Sequence, residues 1–268
     1  MKTSMLLTLL TFLFHLVSAQ KTLKVALTDC KTKEPIPYAH VGIAEKGVGT
    51  ISNEQGRFAL RIPAENMNDT LTISYIGYET KRLLISSIPS SVELCPSNIQ
   101  LKEVTVKPKK EKTLGRRKGT GNSSFAFQSI GSGGEYASKI SNSKNVVIRE
   151  IGVYVETKCD SLTMRINLYK ANKNKIGEPL NTVPFIWRTA CYGKAWLNYE
   201  LPQLIEIEES FFVGIEVLKS STKEQSCFVM FQGNYQLIKS DNYARNTSQD
   251  KWERWDIDVP IRVVVNYD

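Results

Sequence analysis

The sequence predicts an all-β protein made of two successive sandwiches. Three observations carry that expectation. Short runs of strict apolar–polar alternation recur on both sides of a basic stretch. Clusters of Gly, Pro, Asn and Asp separate those runs at roughly regular spacing. No window of about 12 residues or more holds a 3.6-residue apolar period.

Residues 1–19 are set apart from this pattern. Lys2 precedes an apolar run from Met5 to Val17, interrupted only by Thr8, Thr11 and His15, and Val17-Ser18-Ala19 supplies small residues for cleavage. That layout is a secretory signal peptide. The mature chain is expected to start near Gln20, to be exported, and to be soluble or peripherally attached. No later stretch reaches the ~20 apolar residues of a membrane helix. Export permits disulfides. The five cysteines, Cys30, Cys95, Cys159, Cys191 and Cys227, include no Cys-x-x-Cys pair that would mark a zinc knuckle. Their odd number leaves at least one thiol free or paired between chains. Cys30 and Cys95 sit near the two ends of the first block. A bridge there would close a long loop, worth about 4 kcal/mol in the chain-entropy account; two buried thiols are the equal alternative.

The first block, residues 20–106, opens with "TLKVALTD", whose Leu23, Val25 and Leu27 share a face. "YAHVGIAE" follows with Ala39, Val41 and Ile43, "RFALRIP" with Phe58, Leu60 and Ile62, and "DTLTISYIGY" with Leu71, Ile73 and Tyr75. Pro35 and Pro37 keep the start of "PIPYAHV" out of a central ladder position. In "GVGTISNEQGRFAL", Asn53, Glu54 and Gly56 fit either a tight turn or an oxygen-rich cation loop. The turn is the stronger reading. A calcium site needs about six oxygen ligands, and only one carboxylate is present. No metal and no cofactor are expected.

The net charge of +8 is concentrated in residues 107–119, "KPKKEKTLGRRKG", where seven Lys or Arg face Glu111 alone. Residues 107–121 therefore read as a solvated, disordered basic linker. Contact with acidic lipid or polysaccharide at a membrane surface is the sharper alternative. Nucleic acid is an improbable partner for an exported chain.

Alternation resumes in residues 122–268. "GSGG", at 131–134, reads as a flexible entry. "NVVIREIGVYVE" changes register between Ile148 and Ile151, which places a bulge at Arg149-Glu150. "LTMRINLYK" sends Leu162, Met164, Ile166 and Leu168 one way and Thr163, Arg165, Asn167 and Tyr169 the other. "FFVGIEVL", "KAWLNYEL" and "VPIRVVVNYD" behave alike. Roughly six to nine such strands close most simply as a jelly-roll-like sandwich.

With these residues in view, the first block is identified as a member of a known family. The early Asp29, "PIPYAHV", "GVGTISNEQGRFAL", "ISYIGYE" and the trailing "LKEVTV" resemble the carboxypeptidase-regulatory-like domains abundant in secreted and outer-membrane proteins of Bacteroidetes. The resemblance covers about residues 21–106. It implies a transthyretin-like Greek-key sandwich of about seven strands, without catalytic chemistry, in the periplasm, at the outer membrane or on the cell surface. Many members precede the plug of a TonB-dependent transporter; no plug or barrel pattern follows residue 106, so a free-standing two-domain protein is expected. The second block only loosely resembles the jelly-roll regions that follow this module in envelope proteins.

Catalysis finds little support. Beyond the leader there is one histidine, His40, read as a satisfied or solvent-facing strand residue. There is no Gly-x-Ser-x-Gly and no phosphate-cradling glycine loop. Glycoside hydrolysis needs only two carboxylates. Its candidates are Glu150, Glu156, Asp160, Glu206, Glu208, Glu209, Glu216, Glu253, Asp256 and Asp258. Binding fits better. All four tryptophans, Trp187, Trp196, Trp252 and Trp255, fall in the second block, and Tyr243 and Arg245 accompany the last two. Flat aromatic faces beside amides and charges suit sugar rings. Trp252 and Trp255 are three apart and so point to opposite faces of an extended strand; Trp187 is read as opposing Phe185 and Trp196 as opposing Leu197, which leaves an outward position open to either. "DTL" and "DSL" resemble an O-glycosylation acceptor pattern and would place Thr70 and Ser161 at surface turns. The expected function is thus a non-catalytic exported envelope protein that binds or scaffolds, with a glycan or an outer-membrane or periplasmic protein as partner. The rivals are a two-carboxylate glycoside hydrolase and a structural subunit of a surface assembly.

Overall fold

The computed structural model describes residues 20–97, 110–116, 118–119, 121, 123–127, 130–190, 192–221, 228–235 and 241–267. The expected signal peptide, residues 98–109 of the first block and basic stretch, and Cys191 and Cys227 lie outside the described residues.

Among the described residues the first domain has seven strands: β1 (Lys21–Asp29), β2 (His40–Ile43), β3 (Val48–Ile51), β4 (Arg57–Ile62), β5 (Thr70–Ser74), β6 (Lys81–Leu84) and β7 (Ser91–Leu94). They form a three-stranded sheet, β4-β1-β7, facing a four-stranded sheet, β3-β2-β5-β6. β1 runs antiparallel to β4 and parallel to β7. The alternating residues meet between the sheets: Leu23, Val25, Leu27, Val41, Phe58, Leu60, Ile62, Leu71 and Ile73 are all buried. Residues 53–56 form a tight turn. Gly56 takes φ +70° there, and Asn53 Oδ1 accepts from the N–H groups of Gln55 at 3.0 Å and Arg57 at 2.9 Å. Cys30 and Cys95 are joined by a disulfide. Beside it the Asp29 carboxylate accepts from Lys31 N at 2.6 Å, Thr32 N at 2.9 Å and Tyr78 OH at 2.7 Å.

The second domain comprises β8 (Lys110–Gly115), β9 (Ser123–Ala126), β10 (Glu135–Ile140), β11 (Val146–Thr157), β12 (Ser161–Asn172), β13 (Lys175–Pro179) and β14 (Phe185–Thr189), then β15 (Gly193–Ile207), β16 (Phe211–Ser221), β17 (Val229–Tyr235), β18 (Asn242–Arg245), β19 (Glu253–Arg254), β20 (Ile257–Asp258) and β21 (Ile261–Tyr267). One sheet runs β13-β12-β16-β10-β18-β19, with β14 also on β12; the other runs β20-β17-β11-β21-β8, with β15 on β11 and β9 on β17. Ile151 and Val153 of β11, Leu162 to Leu168 in alternation on β12, Phe211 to Val217 on β16 and Val263 on β21 fill the space between. The β11 register slips between Ile148 and Glu150 against both neighbours, at the expected bulge.

Among the described residues fourteen strands exceed the number expected, because edge positions are shared by short strands and because the linker contributes one. The basic stretch is not a solvated linker over its described part. Lys110–Gly115 pairs with β21 in six-residue register, Leu114 enters the core, and Lys112 lies over the Tyr267 ring. The charges sit on an edge strand, where they discourage pairing with other chains. Nor is the glycine-rich entry loose: Ser132 O accepts from Ser248 N at 2.9 Å, and a Cβ on Gly133 would overlap the Ser248 side chain.

β2, β12 and β16 are buried on both faces over much of their length. Alternation accounts for one face. The other is covered in part where the two domains meet and in part by Tyr243 and Trp252 of the second domain itself, which pack with Tyr169 and Phe212.

Candidate functional site

Small residues let the domains approach. Gly42 on β2 and Gly49 on β3 lie beneath the backbone of Ser248; a Cβ on Gly42 would be 2.5 Å from the Ser248 carbonyl oxygen, and one on Gly49 would overlap it outright. Gln249 extends the contact: its carbonyl accepts from Glu45 N at 3.0 Å, and its amide donates to Ser74 Oγ at 2.8 Å. Tyr38, Ile51 and Leu218, with Ile186 beside them, form an apolar seam across the boundary.

Behind this seam lies a buried polar network. Arg165 on β12 stands opposite Glu216 on β16 in the ladder. It donates to Glu216 Oε2 from Nε at 2.9 Å and from Nη2 at 2.7 Å. Its Nη1 crosses the boundary to the Tyr38 carbonyl at 2.6 Å, and Nη2 reaches His40 Nε2 at 2.7 Å. A guanidinium only donates, so Nε2 must be the unprotonated nitrogen. The proton therefore sits on Nδ1, which donates to Ser248 Oγ at 2.8 Å. His40 is neutral. Burial, then the charges of Arg165 and Arg245, hold its pKa well below the ordinary histidine range. The 3.5 Å approach of His40 Nε2 to Glu216 is consequently no ion pair. Burial pushes the Glu216 carboxyl up, against the pull of Arg165.

A second pair lies alongside. Glu135 on β10 accepts from Arg245 at 2.6 Å, Asn167 at 2.9 Å and Tyr169 OH at 3.0 Å. Gly214 leaves the room, since a Cβ there would overlap the Glu135 carboxylate. Two carboxyl groups thus face two guanidiniums, with the imidazole neutral. At the rim, Glu54 of the first domain meets Tyr38 OH at 3.1 Å, Lys219 at 3.1 Å and Arg188 at 3.8 Å. Hydrogen bonds from Lys219 and then Tyr38 hold the Glu54 carboxyl below the usual range.

The sequence reading singled out His40 and Glu216 one at a time and missed Arg165, Glu135, Asn167, Tyr169 and Ser248. The available signal was a lone charge in each of two strongly apolar runs, "LTMRINLY" and "FFVGIEVL", with a glycine two residues before Glu216. Glu135 and Glu216 do not form a hydrolase pair as folded. Each is shut from solvent and bound to an arginine.

The aromatic candidates are spread over the second domain. Trp187 faces inward. It lies two residues from Phe185, on the same side of β14, and packs on the core against Tyr199 at 5.6 Å between ring centroids. That corrects the reading of Trp187 as opposing Phe185, because i and i+2 share a strand face. Trp196 is on the outer side of β15, against Tyr154 at 5.6 Å and beneath Arg262 at 4.4 Å. Trp252 packs beside Tyr169, covered by Arg245 at 4.7 Å, whereas Trp255 packs beside Phe125 on the main core. Tyr243 is buried, and its hydroxyl donates to the Asn174 carbonyl. Their faces are largely taken by protein. Thr70 and Ser161 are exposed at the first positions of β5 and β12.

No curated protein matches the chain. Two solved structures similar to it are those titled "Structure of infectious bursal disease virus Gx strain", at 9% identity over 94% of this chain and 60% of that one with TM-score 0.27, and "Structure of infectious bursal disease virus Gt strain", at 14%, 93%, 64% and 0.25. The chain spans less than two thirds of those viral chains, and at these TM-scores the likeness carries no argument. The family comparison is specific: residues 26–106 match the model of the CarboxypepD_reg-like domain. Those residues contain nearly all of the β4-β1-β7 and β3-β2-β5-β6 sandwich, so the N-terminal part of this chain is a CarboxypepD_reg-like domain.

Proposed function

We propose that the protein is an exported, non-catalytic scaffolding module of the cell envelope that presents its two sandwiches as one rigid body to an envelope protein. The joint of His40, Arg165, Glu216 and Ser248 carries this reading. Breaking it would strand a buried charge, a loss of about 3–5 kcal/mol. Such a joint serves a fixed geometry better than a hinge. The disulfide at Cys30–Cys95 and the bonded state of Cys159 support an oxidising compartment. The engagement of Trp187, Trp252 and Trp255 in packing favours a protein partner over a neutral sugar stacked on aromatic rings.

The test is to immobilise the full chain, apply solubilised envelope proteins, and identify what is retained. A single partner bound saturably, and lost when the joint is opened by Arg165→Met, is the expected result. Turnover of any glycan by the purified protein, abolished by Glu135→Gln or Glu216→Gln, would overturn the reading.

A further inference from the structure

We propose that the outer face of the β4-β1-β7 sheet is a binding groove for an anionic oligosaccharide, one bearing phosphate or sulfate groups. Register places the parts. Across the antiparallel β1–β4 pair, Lys24 stands opposite Ala59, Ala26 opposite Arg57, and Thr22 opposite Arg61. Lys24 is therefore the diagonal neighbour of both Arg57 and Arg61, a separation of about 7–8 Å on one sheet face. All three cations are exposed. Ala26 and Ala59 keep the space between them open. The result is a groove of about 520 Å³ lined by Lys24, Ala26, Asn53, Arg57, Ala59 and Ser90 among others.

Among the described residues no carboxylate pairs with Lys24, Arg57 or Arg61, and the one acidic residue of β7, Glu93, is held by Lys33 at 2.7 Å. The contrast with Lys33, Lys194, Lys219 and Lys251, each paired to a carboxylate, is plain. Like charges clustered on a sheet face repel, and an incoming anion relieves the repulsion. Asn53 and Ser90 bring hydrogen-bonding side chains suited to sugar hydroxyls. A lipid surface fits less well. Membrane-surface binding adds apolar insertion to charge, and the exposed large apolar residues among those described, Leu84, Val183 and Tyr192, lie outside this sheet. The groove's volume falls in the ordinary range of ligand sites. The inference is independent of the scaffolding role, which rests on the opposite side of the first domain.

The test is titration of the full chain with a sulfated heparin hexasaccharide, with neutral dextran hexasaccharide and phosphatidylglycerol vesicles as the other arms. The sulfated probe alone should bind. Lys24→Gln and Arg57→Gln should each weaken it about tenfold, whereas Arg82→Gln on β6 should change it less than about twofold. Ala59→Leu fills the groove without altering charge and should also weaken binding, with thermal melting confirming that the variant is folded. Equal loss from Arg82→Gln, full affinity in Ala59→Leu, or binding to vesicles without binding to the hexasaccharide would overturn the proposal.

Discussion

Arg165 Nη2 donates to His40 Nε2 at 2.7 Å, and this one bond ties a strand of the second sandwich to a strand of the first. It holds only while the imidazole keeps a lone pair on Nε2. Protonation would place two cations face to face inside the protein.

Acid should therefore weaken the joint. The native His40 pKa is depressed, whereas an undocked or unfolded His40 takes up its proton near pH ~6.5. The folded state thus binds fewer protons, and the stabilisation is complete above that pH and declines as pH falls below it. Glu216 contributes with the opposite sign, because its raised carboxyl pKa favours proton uptake by the folded state. Urea midpoints should fall between pH 7.5 and 5.5 in the wild type. His40→Gln, which keeps an acceptor and a donor, should show a flatter profile. Equal slopes would refute the assignment.

The Arg165–Glu216 pair should behave non-additively. Arg165→Met or Glu216→Leu alone leaves an uncompensated buried charge and should cost about 3–5 kcal/mol. The double variant removes both charges and should be less destabilised than either single one. Chemical denaturation of the three variants decides this.

Gly49→Ala introduces a methyl group into the Ser248 backbone, which has no room to yield. A loss of about 1–3 kcal/mol is expected, together with faster proteolytic cleavage between the domains. Gly193→Ala is the control. That site has φ +92° but no atom within 4 Å of the added carbon, so any loss should be backbone strain alone and leave docking intact.

The Cys30–Cys95 bridge encloses a sequence separation of 65 residues, almost the whole first sandwich. Replacing both cysteines with serine should lower stability by about 2–4 kcal/mol. Thermal melts of that variant and the wild type measure the loss.

The strands themselves were legible. Leu23, Val25 and Leu27, or Met164, Ile166 and Leu168, declare their period in adjacent residues. The joint was not. Arg165 and Asn167 occupy the polar positions of an alternating strand, where the ordinary reading is solvent. Only the distant partners His40, Glu135 and Glu216 turn that face inward. The basic stretch misled for a related reason. Its charge density is local, but the partner that makes it a strand, Ile261–Tyr267, is about 150 residues away in the sequence.

That last pairing also sets an order of assembly. Every described strand of the first sandwich is complete by Leu94, so it can mature while the remainder of the polypeptide is still emerging. The second sandwich draws its opening strand, Lys110–Gly115, against β21, the final strand described. It must wait for residues 261–267 to be delivered. Ser248, which His40 awaits, arrives almost as late. A polypeptide stalled short of β21 would therefore present a finished head on an unfinished body, its open sheet an invitation to proteases.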